Sequence, residues 1–112
     1  MYAKKKRKSA IFWQMDNAKR YFLDILKKIN QSIDKEPVEL NSINWYYQLY
    51  LNEIARSVKE GVATNTTDKL LKRLTRFYID NEANCTLLAN TYREVRRGFF
   101  LYKKQRAKNE TA

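Results

Sequence analysis

The sequence predicts an all-α protein, a compact four-helix bundle, and three observations carry that expectation. Apolar residues recur at spacings of three and four along four separate stretches, the period of a helix with one buried face. The 112 residues include two glycines and one proline, too few for a turn-rich β protein. The length suffices to bury a core without disulfides or metal, and with 44% hydrophobic residues the chain is not disordered by composition.

The first helix is expected from about Ser9 to Ser32, with Ile11, Met15, Ala18, Phe22, Ile25 and Ile29 forming one stripe. Asp16 and Arg20, and Asp24 and Lys28, sit four apart in the favourable order. Pro37 disfavours helical geometry at Glu36, so this helix should stop near Asp34. The second helix is expected over about 42–60, capped by Asn41 or Ser42. Its stripe is Ile43, Tyr47, Tyr50, Ile54 and Val58, and Gly61 follows where a left-handed residue ends a helix. The third, about 66–80, begins at an Asn65 cap with Asp68 three residues on, and turns Leu70, Leu71, Leu74, Phe77 and Tyr78 inward. The fourth, about 82–106, carries Cys85, Leu88, Tyr92, Val95, Phe99 and Tyr102 on its apolar side. Gly98 lies in the middle of it, either where a neighbouring helix comes close or where the helix kinks. This divides the chain into a flexible basic arm (1–8), one helical domain (9–108) and a frayed tail (109–112).

Charge gives the functional direction. Lysine and arginine total 23 against 12 acidic residues, a net charge of +11. Self-repulsion on that scale opposes compaction, and a polyanionic partner is the natural reason to keep it. The excess is uneven: residues 1–34 are net +6, 35–62 net −1 and 63–112 net +6. On the third helix Lys69, Lys72, Arg73 and Arg76 share one side, opposite the leucines. Such a side is either a solvated charged surface or one that contacts phosphates. The fourth helix repeats the pattern with Arg93, Arg96 and Arg97, then Lys103, Lys104, Arg106 and Lys108. The arginine fork suits bidentate phosphate contact, whereas the cations near the end of the helix also match its dipole. Phe100 falls off the apolar stripe and is the ring best placed to stack on an unpaired base, with Trp13 second. Lys4, Lys5, Lys6, Arg7 and Lys8 read as a phosphate-binding tail, a nuclear localisation signal or an anionic-lipid patch.

Other chemistry is poorly provided for. Histidine is absent, which removes the commonest general base and zinc ligand. Cys85 is the single cysteine, and its stripe position predicts a buried, inert thiol. Two glycines cannot build a glycine-rich phosphate loop. No apolar run approaches the roughly 20 residues that cross a bilayer, and no signal-peptide core follows the basic arm. The expectation is a non-enzymatic protein of the cytoplasm, or of the nucleus in a eukaryote. It needs no cofactor, metal, membrane or small-molecule substrate. Its partner is nucleic acid, RNA or DNA, single- or double-stranded, bound through phosphates.

A second reading makes the chain a small accessory subunit among the protein subunits of a nucleoprotein complex, of the type found in CRISPR ribonucleoprotein effectors. A third starts from Glu53-Ile54-Ala55, Gly61-Val62 and Leu70-Leu71-Lys72-Arg73-Leu74, which together resemble a helix-turn-helix. That resemblance spans about a fifth of the chain and implies a basic second helix entering the major groove of DNA. The pattern departs from the family in the longer separation of Ala55 and Gly61 and in a threonine, Thr67, at a position normally apolar.

Overall fold

Four α-helices run in chain order: α1 (Tyr2–Ile33), α2 (Ile43–Glu60), α3 (Thr64–Asn81) and α4 (Thr86–Thr111), with a 3-10 turn, Glu82–Asn84, before the last. The structure is a computed structural model that describes the backbone of residues 2–111 and the side chains of residues 17–108. Side-chain expectations for Lys4 to Lys8, Ile11, Trp13 and Met15 therefore lie outside the described residues.

Local chemistry sets most of the boundaries. Ser42 caps α2, its hydroxyl accepting the Trp45 amide at 3.2 Å, while Asn41 precedes it in the left-handed region at φ 65°. Gly61 ends α2 at φ 69°. The Gly61 amide returns to the Val58 carbonyl and the Val62 amide to the Ser57 carbonyl, a Schellman closure that reverses the chain in three residues. That short reversal starts α3 at Thr64, ahead of the expected Asn65, and Ala63 precedes it with no side-chain cap. The Asn65–Asp68 capping box is not used. At the other ends, α1 begins at Tyr2 and α4 continues to Thr111, so helical backbone takes in most of both the expected arm and the expected tail.

Neighbouring helices are antiparallel. Asn30 pairs with Asn52 at 2.9 Å and Gln48 with Asp34 at 2.7 Å, which runs α2 against α1. Ser57 meets Thr67 at 3.0 Å next to the turn, and the Tyr46 ring meets Phe77 at 6.3 Å at the far end of the same pair. These contacts lie about 16 Å apart along the helices. They keep α2 and α3 side by side as an αα-hairpin, without the 90–120° crossing of a helix-turn-helix. Thr75 with Tyr92 at 2.6 Å sets α4 against α3, and Phe22 with Phe99 at 6.0 Å sets α4 against α1.

The core lies where the four stripes meet. Phe22, Leu26, Tyr47, Leu51, Ile54, Leu71, Leu74, Leu88 and Val95 are essentially inaccessible to solvent. Thr67 is also fully buried. Because the Ser57 hydroxyl donates to the Ile54 carbonyl at 2.7 Å, Thr67 donates to Ser57 and both hydroxyls are satisfied. Gly98 marks close approach, not a kink: a Cβ there would lie 2.8 Å from Phe22 Cδ1 and 3.0 Å from Ile25 Cδ1. Cys85 differs from expectation. The 3-10 turn places it just ahead of α4, where its carbonyl accepts the Ala89 amide, and its thiol is half-buried, 3.4 Å from Asn44 Oδ1.

Candidate nucleic-acid interface

α3 and α4 lie side by side, and both carry a basic outward surface. Lys69, Lys72, Arg73 and Arg76 are all exposed on α3, as are Arg93, Arg96, Arg97, Lys103 and Lys104 on α4. Helical geometry puts them there: each lies outside the stripes that fill the core, so its charged end stays in water. Asp68 stands at the edge of the α3 cluster, 3.4 Å from Lys72 Nζ. This is the one ion pair that these nine cations make among the described residues.

The nine do not share one orientation. Lys72 follows the side of α3 that carries Asp68 and Thr75, toward α4, and Arg96 Nη1 reaches Thr75 Oγ1 at 3.3 Å across that seam. Thr75 gives its own proton to the Leu71 carbonyl and so accepts from both Arg96 and Tyr92. Arg73 follows the side of Leu70 and Phe77, toward α2, where Phe77 packs on Tyr50 at 5.2 Å. Arg97 and Lys104 line a groove on the opposite flank of α4 from the α3 seam, together with Tyr21 of α1, Leu101, Gln105 and Lys108. The sequence places these two with α3, but the structure also joins them to α1.

Phe100 stands in the middle of the α4 cations. It is 63% exposed, and Arg96, Arg97, Lys103 and Lys104 occupy the positions four and three residues before it and three and four after it, the four surface neighbours of a helical residue. With Asp68, Arg96, Phe99 and Lys103 it lines a small cleft between α3 and α4. Arg106 is used differently. Its guanidinium donates to the carbonyls of Val62 and Gly61, the latter at 2.9 Å, and to the Tyr102 hydroxyl at 3.0 Å. It thereby satisfies the turn that follows α2, a partner that the dipole of its own helix gives no hint of.

Two tyrosines have perturbed acidity for different reasons. Burial pushes Tyr47 up to about 12, with its hydroxyl on Thr91 Oγ1 at 2.7 Å. Tyr78 is raised chiefly by a hydrogen bond to Glu82, with its ring stacked on Tyr92 at 4.0 Å. Among the described residues no three of His, Cys, Asp and Glu converge on a possible metal position, and no helix is long and apolar enough to cross a membrane.

The hairpin geometry of α2 and α3 takes away the fold-level support for a helix-turn-helix, although α3 remains basic and exposed. Comparison of the chain with protein-family models, with curated proteins and with solved structures gave no match.

Proposed function

We propose that this protein is a non-catalytic nucleic-acid-binding bundle whose α3–α4 face neutralises a phosphate backbone. One observation carries the reading: nine exposed cations gather on two adjacent helices, and among the described residues a single carboxylate pairs with one of them. Like charges at helical spacing repel by a few tenths of a kcal/mol per pair, and the cost recurs across both helices. An approaching polyanion reverses its sign and releases condensed counterions, which makes binding favourable and steeply salt-dependent. Lysines and arginines that lie outside the core contact phosphates without any change in packing, so no base-edge recognition is required.

The test is a titration of the whole chain with an oligonucleotide at several salt concentrations. If about five to eight phosphates are neutralised, log K falls against log[salt] with a slope of roughly −4 to −7. A flat response, or no binding at low salt, overturns the proposal and leaves protein partners as the use of the face.

A further inference from the structure

We infer that the strand held on this face is single-stranded, with unpaired bases stacked on Phe100 and Tyr21 on either side of the α4 ridge. The inference rests on the phosphate-binding reading above and adds what the rings contribute. A duplex presents phosphates and groove edges, and its bases are already stacked on each other. Cations alone are enough to hold it. A phenyl ring in the centre of such a surface adds nothing to that contact and leaves apolar area in water.

Phe100 is such a ring. It is 63% exposed, with Arg96, Arg97, Lys103 and Lys104 as its four helical neighbours. An aromatic plane ringed by cations is the pairing that single-strand surfaces use, the ring taking a base and the cations its flanking phosphates. Tyr21 repeats the arrangement across the ridge. It is 43% exposed in the groove lined by Arg97 and Lys104. These two cations therefore border both rings, and a strand crossing α4 keeps its phosphate on shared charges while successive bases turn to opposite flanks. The half-buried Asp68 in the Phe100 cleft adds an acceptor suited to the N–H edge of an unpaired base.

The experiment compares four probes of equal length, about twelve nucleotides, by fluorescence anisotropy with the full chain. They are oligothymidylate, oligouridylate, an abasic deoxyribose-phosphate strand and a duplex. Stacking predicts that the two base-bearing single strands bind tighter than the abasic strand by roughly five- to 150-fold per stacked base. Phe100→Ala removes most of that margin and leaves the abasic affinity unchanged, Phe100→Trp preserves it, and Tyr21→Ala removes a smaller part. The ratio of thymidylate to uridylate affinity then assigns the strand to DNA or RNA. Equal binding of base-bearing and abasic strands overturns the stacking inference while the phosphate reading survives, as does tighter binding of the duplex or an unchanged margin in Phe100→Ala. Failure of all four probes to bind overturns the phosphate reading itself.

Discussion

α2 and α3 are the same length, 18 residues each, and form one hairpin, yet they solve the surface problem in opposite ways. α2 balances its charge within itself. Glu53 and Glu60 offset Arg56 and Lys59, and Arg56 Nε lies 3.1 Å from Glu60 Oε1. α3 carries Lys69, Lys72, Arg73 and Arg76 against Asp68 and Asp80. Each helix buries a stripe, Tyr47, Leu51, Ile54 and Val58 on α2 and the narrower Leu71 and Leu74 on α3, with Thr67 joined to Ser57 between them. The packing that fixes the hairpin thus leaves the outward charge of each helix free to differ. The charge that α3 displays is set independently of the packing that holds the hairpin.

The largest expected effect turns that contrast into a control. Reversing Lys72 and Arg73 to Glu, or Arg96 and Arg97 to Glu, changes the net charge by the same amount as reversing Arg56 and Lys59. If binding belongs to the α3–α4 face, either of the first two changes lowers affinity on the order of a hundredfold at low salt, since phosphate contacts become repulsions. The α2 change lowers it by no more than about threefold, the loss from net charge acting at a distance. Anisotropy measures the affinities, and helical circular dichroism confirms that each variant folds. Equal losses from both helices break the comparison and reduce the interaction to net charge.

The same contrast explains what could be read from the residues alone. Helix periods, the Ser42 cap and the Gly61 terminus depend on neighbours in the chain, and each is where local chemistry places it. The exposure of the nine cations follows from the same period. Relations that depend on contact across helices were out of reach. Thr67 is a polar residue on an apolar stripe, and only Ser57 opposite makes its burial affordable. Arg106 resembles any cation near a helix end until the turn at Gly61 and Val62 is packed against it. Arg97 and Lys104 join Tyr21 because α1 runs antiparallel to α4, which no spacing within α4 reveals. Cys85 departs from its expected place because a 3-10 turn intervenes before α4, while the apolar period continues through it.

A middle-sized effect separates the tyrosines of the two helices. Tyr47 of α2 has a pKa raised to about 12 by burial, against 10.0 for the free group. The neutral phenol is favoured in the folded state, so its contribution to stability is intact below pH 10 and is lost as pH rises from 10 to 12. The loss amounts to about 2 kcal/mol. Thermal melts over that range should show a steep fall that Tyr47→Phe flattens. Tyr78 of α3 is raised as well, but chiefly through Glu82 at the surface, so Tyr78→Phe leaves the alkaline fall in place. A fall that survives in Tyr47→Phe assigns the alkaline transition to another group and removes the buried phenol from the account of α2.

The smallest effect is the most pointed, because it has opposite signs on the two helices. Arg56→Glu breaks the pair with Glu60 and sets a carboxylate three residues from Glu53 and four from Glu60. Arg73→Glu instead sets one four residues from Lys69 and three from Arg76, turning two repulsions into two attractions. Each exposed pair is worth about 0.2–0.5 kcal/mol. Arg56→Glu should therefore lower the melting temperature by roughly 3–8 °C at low salt, and Arg73→Glu should raise it by a comparable amount. Screening tests the cause: near 1 M salt the Debye length is about 3 Å, and both shifts should shrink toward zero. If Arg73→Glu destabilises, and does so at every salt concentration, the stem of Arg73 is packing against its apolar neighbours Leu70 and Phe77. Part of the α3 charge then belongs to the fold, and the separation between a core that holds the hairpin and a surface kept for phosphate narrows to Lys69, Lys72 and Arg76.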